Sequence, residues 1–214
     1  MRIHMKITYL GHASFLLETA AGTRIVTDPY GQDILPHPVA EADIVTMSHE
    51  HYDHCDLTQV KGDFVAVNTA EARTVGDVKI TCVPCWHDEV QGQKRGPNRA
   101  YIFEANGLKI VHLGDLGETP TPALMDACTG ADALCLPIGG TYTLTGADAW
   151  AAAKALSPKL ILPMHYRCPG HSFAVISTEE PFLSALDGDV PVQRLDALQS
   201  PFPTGVAILT PPQA

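Results

Sequence analysis

The stretch Ser48-His49-Glu50-His51-Tyr52-Asp53-His54-Cys55-Asp56 decides the reading of this chain. It holds three imidazoles and a carboxylate in the spacing His-x-His-x-Asp-His. His49 and His51, at i and i+2, point to one side of an extended segment. Asp53 and His54 follow at once, where a turn can aim them at a second point beside the first. Nitrogen and oxygen donors of this kind suit zinc and similar divalent ions, and two such groups suit two adjacent ions. The apolar run Ala42-Asp43-Ile44-Val45-Thr46-Met47 reads as a strand, so the cluster stands at a strand end, where ligands commonly sit. A polar loop that is merely His-rich is the alternative.

One cluster cannot complete two metal sites, and four further candidates stand where an apolar run gives way to a loop. His12 follows Lys6 to Leu10. His87 lies in Pro84-Cys85-Trp86-His87-Asp88, Asp115 in His112-Leu113-Gly114-Asp115, and His165 in Leu162-Pro163-Met164-His165-Tyr166. No Gly-x-Ser-x-Gly elbow is present, so nothing points to a serine nucleophile.

The frame around these residues is one domain, 1–214. With 214 residues and 45% hydrophobic content the chain can fill a full core without a second domain. Seventeen Gly and seventeen Pro predict many short elements. The net charge of −10 argues against nucleic acid as a partner. The start, Met1-Arg2-Ile3-His4-Met5-Lys6-Ile7, lacks the apolar core of a signal peptide, and no apolar run reaches a membrane span. A cytoplasmic protein is expected, its six cysteines mostly reduced. The single pair Cys82-x-x-Cys85 is a weak redox or zinc signal, and Cys82 in Val78-Lys79-Ile80-Thr81-Cys82-Val83 reads as a buried structural thiol.

Strand-like runs dominate the first half: Lys6 to Leu10, a hairpin of Ser14 to Glu18 with Arg24 to Thr27, Ile44 to Met47, Phe64 to Val67 and Val78 to Val83. A further hairpin, Ala100 to Glu104 with Leu108 to Leu113, turns at Asn106-Gly107. Helices are predicted at Pro122 to Cys128, from the capping box Thr145-Gly146-Ala147-Asp148 to Leu156, and from Ser177-Thr178-Glu179-Glu180 to about Leu186. Strands are read at Ala133 to Ile138, Leu160 to Leu162, Val190 to Leu195 and Val206 to Leu209. Two sheets with helices on their outer faces fit this order.

The chain resembles the metallo-β-lactamase fold superfamily. It is most similar to the branch of metal-dependent hydrolases that includes ascorbate-6-phosphate lactonases and N-acylphosphatidylethanolamine phospholipase D type enzymes. The resemblance runs from Gly11-His12-Ala13-Ser14-Phe15 and Asp28-Pro29, through the His-rich motif and Gly114-Asp115, to Pro137-Ile138-Gly139-Gly140 and Pro163-Met164-His165-Tyr166. It implies an α/β fold, a four-layer αββα sandwich with two divalent metals at one edge between the sheets. Carried over, His49, His51 and His87 hold the first metal, Asp53, His54 and His165 the second, and Asp115 bridges them. His112, three residues before Asp115, is the alternative to His87; the family takes its third histidine from an earlier strand end. His12 either meets a substrate, orients a ligand or packs in the core.

Two such ions lower the pKa of a shared water, present hydroxide at neutral pH and polarise a carbonyl or phosphoryl oxygen. The expected activity is hydrolysis of a small ester-like substrate, a phosphodiester or a lactone, by a metal-bridging hydroxide, with Asp53 and Asp115 as the catalytic carboxylates. Zinc is favoured by the nitrogen-rich donors, with manganese, iron and nickel open. Arg167 is placed to meet an anionic substrate and Tyr142 to line the pocket; His171 and the loop Lys94-Arg95-Gly96-Pro97-Asn98-Arg99 are further candidates, the loop more often solvated charge. Trp86 reads as core. A homo-oligomer is compatible with the sequence. The competing readings are a di-iron redox protein, disfavoured by His51 where that subgroup carries Glu, and a metal-binding sensor without catalysis, disfavoured by the complete-looking donor set.

Overall fold

The computed structural model describes residues 5–36 and 38–212. Met1–His4, part of the stretch behind the expectation of no signal peptide, lie outside the described residues. Alternating apolar side chains build the first sheet. Met5, Ile7 and Tyr9 of Met5–Gly11, and Phe15 and Leu17 of Ser14–Thr19, face one core. In spatial order the six strands are Leu198–Gln199, Met5–Gly11, Ser14–Thr19, Arg24–Thr27, Ile44–Thr46 and Val65–Val67. The last three run parallel.

The second sheet has eight strands: Val192–Leu195, Gly205–Leu209, Leu160–Met164, Ala133–Pro137, Leu108–His112, Pro97–Ala105, Val78–Trp86 and Arg73–Val75. From Val192–Leu195 to Leu108–His112 neighbours are parallel, and beyond that antiparallel. Ala133–Pro137 and Leu160–Met164 are buried along their whole length, as parallel strands covered on both faces must be. The hairpin turns at Asn106 and Gly107, both with positive φ, the geometry that the Asn-Gly pair favours.

Three α-helices occur among the described residues: α1 Pro122–Cys128, α2 Gly146–Leu156 and α3 Glu180–Ala185. Thr145 caps α2 by accepting from the Asp148 amide, and Ala149, Ala152, Ala153 and Leu156 form its buried stripe. α1 packs on Val78–Trp86 and Pro97–Ala105, α2 on Ala133–Pro137, and α3 on α2. The outer face of the six-stranded sheet is covered more thinly. There Leu10, Val26 and Val45 meet Ala40, Ala42 and Val60, supplied by the ribbon Ala40–Glu41 with Val60–Lys61 and backed by the 3-10 turn Leu57–Gln59. The result is an α/β sandwich with few helices. None of its described helices is long and apolar enough to cross a membrane.

Three local expectations change. The helix expected from Ser177 starts at Glu180, because the Ser177 amide donates to the Gly139 carbonyl and its carbonyl accepts from the Arg167 amide. Trp86 is 38% exposed at the last position of its strand, lying over Gly92 rather than in the core. Cys82 is only partly buried, and burial pushes its thiol up to about 11 and that of Cys85 up to about 12, which disfavours the thiolate of both.

The sheets are tied where the site forms. The His12 carbonyl accepts from the His165 amide (2.6 Å) and the Tyr9 hydroxyl (2.7 Å), joining the first strand's end to that of Leu160–Met164. His12 and His165 both adopt positive φ, a costly backbone state for a residue with a Cβ. Gly139 lies against the His165 carbonyl so closely that a Cβ would overlap it. Gly139→Ala should therefore cost about 3 kcal/mol or more of unfolding free energy. Gly188→Ala, which would meet nothing within 4 Å, should be close to neutral. Urea denaturation of both variants checks this.

Candidate metal centre

Five loops, each leaving a strand of the two sheets, deliver the candidate ligands. His49, His51, Asp53 and His54 follow Ile44–Thr46, and His87 follows Val78–Trp86. Asp115 and His165 follow Leu108–His112 and Leu160–Met164, and His12 follows the first strand. His49, His51 and His87 each offer a ring nitrogen within 4.8 Å of the other two; His51 is the exposed member. His12, Asp53, His54 and His165 offer a second such group, all buried. Asp115 lies between them. Its Oδ2 is 3.1 Å from His165 Nε2, 3.2 Å from His54 Nε2, 3.2 Å from His87 Nε2 and 3.9 Å from His49 Nε2.

These donors fit divalent cations. Bonds of about 2.0–2.1 Å in a tetrahedron set neighbouring donors about 3.3 Å apart, and the three shortest Asp115 contacts have that spacing. His49 Nε2, His54 Nε2 and Asp115 Oδ1 are buried without a hydrogen-bond partner. Buried polar atoms left so are costly, and a cation satisfies them together. Electrostatics point the same way. Burial would raise the Asp115 carboxyl, but His165 and His54 outweigh it and hold it well below the usual range. Burial opposes charge on His54, yet Asp115 and Asp28 draw its pKa well above the ordinary value, so positive charge is favoured at this point. His49 is pushed down to about 2 by burial, with His54 adding to it, which leaves its lone pair free.

A second layer of groups aims the first. The buried Asp28 carboxylate accepts from the Ser48 amide (2.7 Å) and the Ser48 hydroxyl (2.5 Å), and lies 2.9 Å from His54 Nδ1. With its own proton given to Asp28, Ser48 Oγ accepts from His49 Nδ1–H at 2.9 Å. The Nδ1 of each histidine is thus spent on this layer, and Nε2 is the nitrogen each turns inward. The Asp115 amide donates to Asn98 Oδ1 (3.0 Å), while Asn98 Nδ2 donates to the Leu113 carbonyl (2.8 Å).

A one-way chain of donors reaches Asp53. The Phe173 amide donates to His171 Nδ1 (3.1 Å), so His171 Nε2–H donates to His12 Nδ1 (3.0 Å) and His12 Nε2–H to Asp53 Oδ2 (3.2 Å). Burial pushes His12 down to about 3 and His171 to about 4, which keeps both neutral. His12 thus orients a candidate ligand. His112 does neither: its Nε2 donates to the Ala13 carbonyl (2.7 Å) and its Nδ1 accepts from the Gly114 amide (3.2 Å). Both ring nitrogens are spent on backbone.

The centre opens into a cleft of about 360 Å³. Asp115, His87 and His165 line its buried end, and Tyr52, Tyr142, Phe173 and Arg95 its exposed end. Tyr142 is thus brought to the site. Arg167 is not: its guanidinium donates to the Ala174 carbonyl (3.1 Å), away from the lining. The sequence reading gave Asp28 no role, though Asp28-Pro29 at a strand end was a legible signal, and it named Arg95 and Asn98 only as members of the loop 94–99, read more often as solvated charge.

Asp28→Asn should weaken metal binding about 10–100-fold with the fold retained, as measured by chelator competition alongside circular dichroism.

Residues 6–165 match the Beta-lactamase superfamily domain. A UPF0173 metal-dependent hydrolase of Methanoculleus marisnigri is 33% identical over 187 residues, covering 76% of this chain and 81% of its own. One from Pelotomaculum thermopropionicum is 32% identical over 197 residues, covering 76% and 84%. A crystal structure from Thermotoga maritima, described as a candidate Zn-dependent hydrolase of the metallo-beta-lactamase superfamily, is 38% identical. It matches with a TM-score of 0.79 and covers 96% of this chain and 98% of its own. A motif that opens on His49, strand ends that meet at Asp115 and relatives that cover about three quarters of the chain agree: the chain belongs to the metallo-β-lactamase superfamily, in the family of UPF0173 metal-dependent hydrolases.

Proposed function

We propose that this chain hydrolyses a small ester-like substrate, a phosphodiester or a lactone, at a centre of two divalent cations, with zinc the best match to the nitrogen-rich donors. His49, His51 and His87 would hold one cation, Asp53, His54 and His165 the other, and Asp115 would serve both. The observation that carries the reading is Asp115 Oδ2, within 3.2 Å of imidazole nitrogens from three separate loops while Asp115 Oδ1 is buried and unpartnered. When bound, the cations supply Lewis acidity, acidifying water and polarising an ester oxygen.

The rest of the work falls to the chain. Asp28 and Ser48 fix the tautomers of His54 and His49. His12 holds Asp53 Oδ2 by a hydrogen bond, which leaves this carboxylate positioned to orient water or accept its proton. The small cleft suits a small substrate. The family resemblance to lactonases and phosphodiesterases supports the two bond types, and the complete donor set weighs against a sensor that has lost catalysis.

Metal analysis of the purified protein should find about two equivalents per chain. Stripping them with a chelator should abolish hydrolysis across lactone and phosphodiester panels, and re-addition should restore it; activity that persists without metal refutes the reading. Asp53→Ala should lower turnover about 10²–10⁴-fold while thermal unfolding stays near wild type. Unchanged turnover would remove Asp53 from the mechanism.

A further inference from the structure

The loop after His87 is wound around one side chain. Asp88 Oδ1 accepts from the amides of Val90 (3.0 Å) and Gly92 (2.8 Å), and Oδ2 from those of Lys94 (3.0 Å) and Arg95 (2.7 Å). The His87 amide donates to the Gly96 carbonyl and closes the base. Four amides on one carboxylate make a rigid hoop, and it delivers Arg95 to the cleft beside a candidate metal ligand.

Arg95 arrives unneutralised. Among the described residues no carboxylate lies within ion-pair reach of its guanidinium, whereas Arg24, Arg99 and Arg194 each meet one. Its Nη2 donates to the Thr141 carbonyl (2.8 Å), and the guanidinium carbon lies 5.7 Å from the centre of the Tyr142 ring. The side chain is thereby held in place with the rest of its donor fork unspent, in a chain whose net charge is −10. Around it stand three rings from three loops. Tyr52 is 65% and Tyr142 39% exposed, and Phe173 lies 6.5 Å from the first and 6.3 Å from the second, edge-on to both. Two exposed tyrosines grouped with a half-buried phenylalanine at the mouth of a cleft mark a binding surface.

We propose that Arg95 is the anion-recognising residue of the cleft, and that the substrate is a small organic anion whose flat or apolar part lies among Tyr52, Tyr142 and Phe173. This rests on the hydrolase reading for the word substrate, but the binding it describes needs no metal. A phosphate or carboxylate oxygen pair matches the planar fork, and the rings take the remainder.

The test compares phenylphosphonate with its neutral dimethyl ester by calorimetry, on the protein as purified and after chelation, with metal content measured in parallel. Arg95→Gln leaves the hoop intact, since Asp88 holds the Arg95 amide and not its side chain. It should weaken phenylphosphonate about tenfold or more and leave the dimethyl ester unchanged. Arg95→Lys should recover only part of the loss, and Tyr142→Ala should weaken both probes. Equal affinity of wild type and Arg95→Gln, an equal loss for both probes, or no binding of phenylphosphonate to wild type overturns the proposal. No Arg95 effect in protein that carries metal and hydrolyses the panels sinks this inference alone; an Arg95 effect in protein that carries no metal as purified and shows no hydrolysis when metal is added sinks the hydrolase reading alone.

Discussion

A carboxylate only 2% exposed, set among imidazoles from three loops, is the constraint from which the rest of this molecule follows. Isolated in a protein interior, the Asp115 charge would be prohibitively costly, so the fold must bring positive charge to it. Each neighbour then acquires its own requirement. His54 needs Asp28, Asp28 needs the Ser48 amide and hydroxyl, and the Asp115 backbone needs Asn98. Gly114 has no Cβ because Ser48 and Asn98 press on that spot, and its φ is positive as well.

The two sheets make this convergence possible. Their strand ends release loops toward one edge of the sandwich, and the His12 carbonyl joins the edges by accepting from His165. Acidic side chains organise the loops in turn. Asp28 holds the His-rich segment and Asp88 the loop that carries Arg95. Asp88 is satisfied by amides of its own loop, whereas Asp28 reaches from the end of a neighbouring strand to the Ser48 amide and hydroxyl and to His54.

Much of this could be read from the residues alone. Apolar runs marked the strands, Asn106-Gly107 the hairpin and Thr145 the start of α2, because each is a local signal with a local cause. The His-rich motif and the strand-end positions of His87, Asp115 and His165 marked the residues that the fold gathers. What escaped depends on direction rather than identity. Arg95 and Arg167 are both loop arginines, and only the hoop around Asp88 and the carbonyl of Ala174 decide which one faces the cleft. Likewise Ser177 has the residues of a helix cap, but its backbone is already committed to Gly139 and Arg167.

The donor chain from Phe173 to Asp53 has a mechanical meaning. An amide can only give its proton, so the order Phe173, His171, His12, Asp53 has a single sense and cannot run backwards. Its first member belongs to the ring that guards the entrance, and its last to the carboxylate at the floor. The orientation of the Asp53 carboxylate is therefore set from the backbone of a residue at the outer end of the cleft, through two imidazoles.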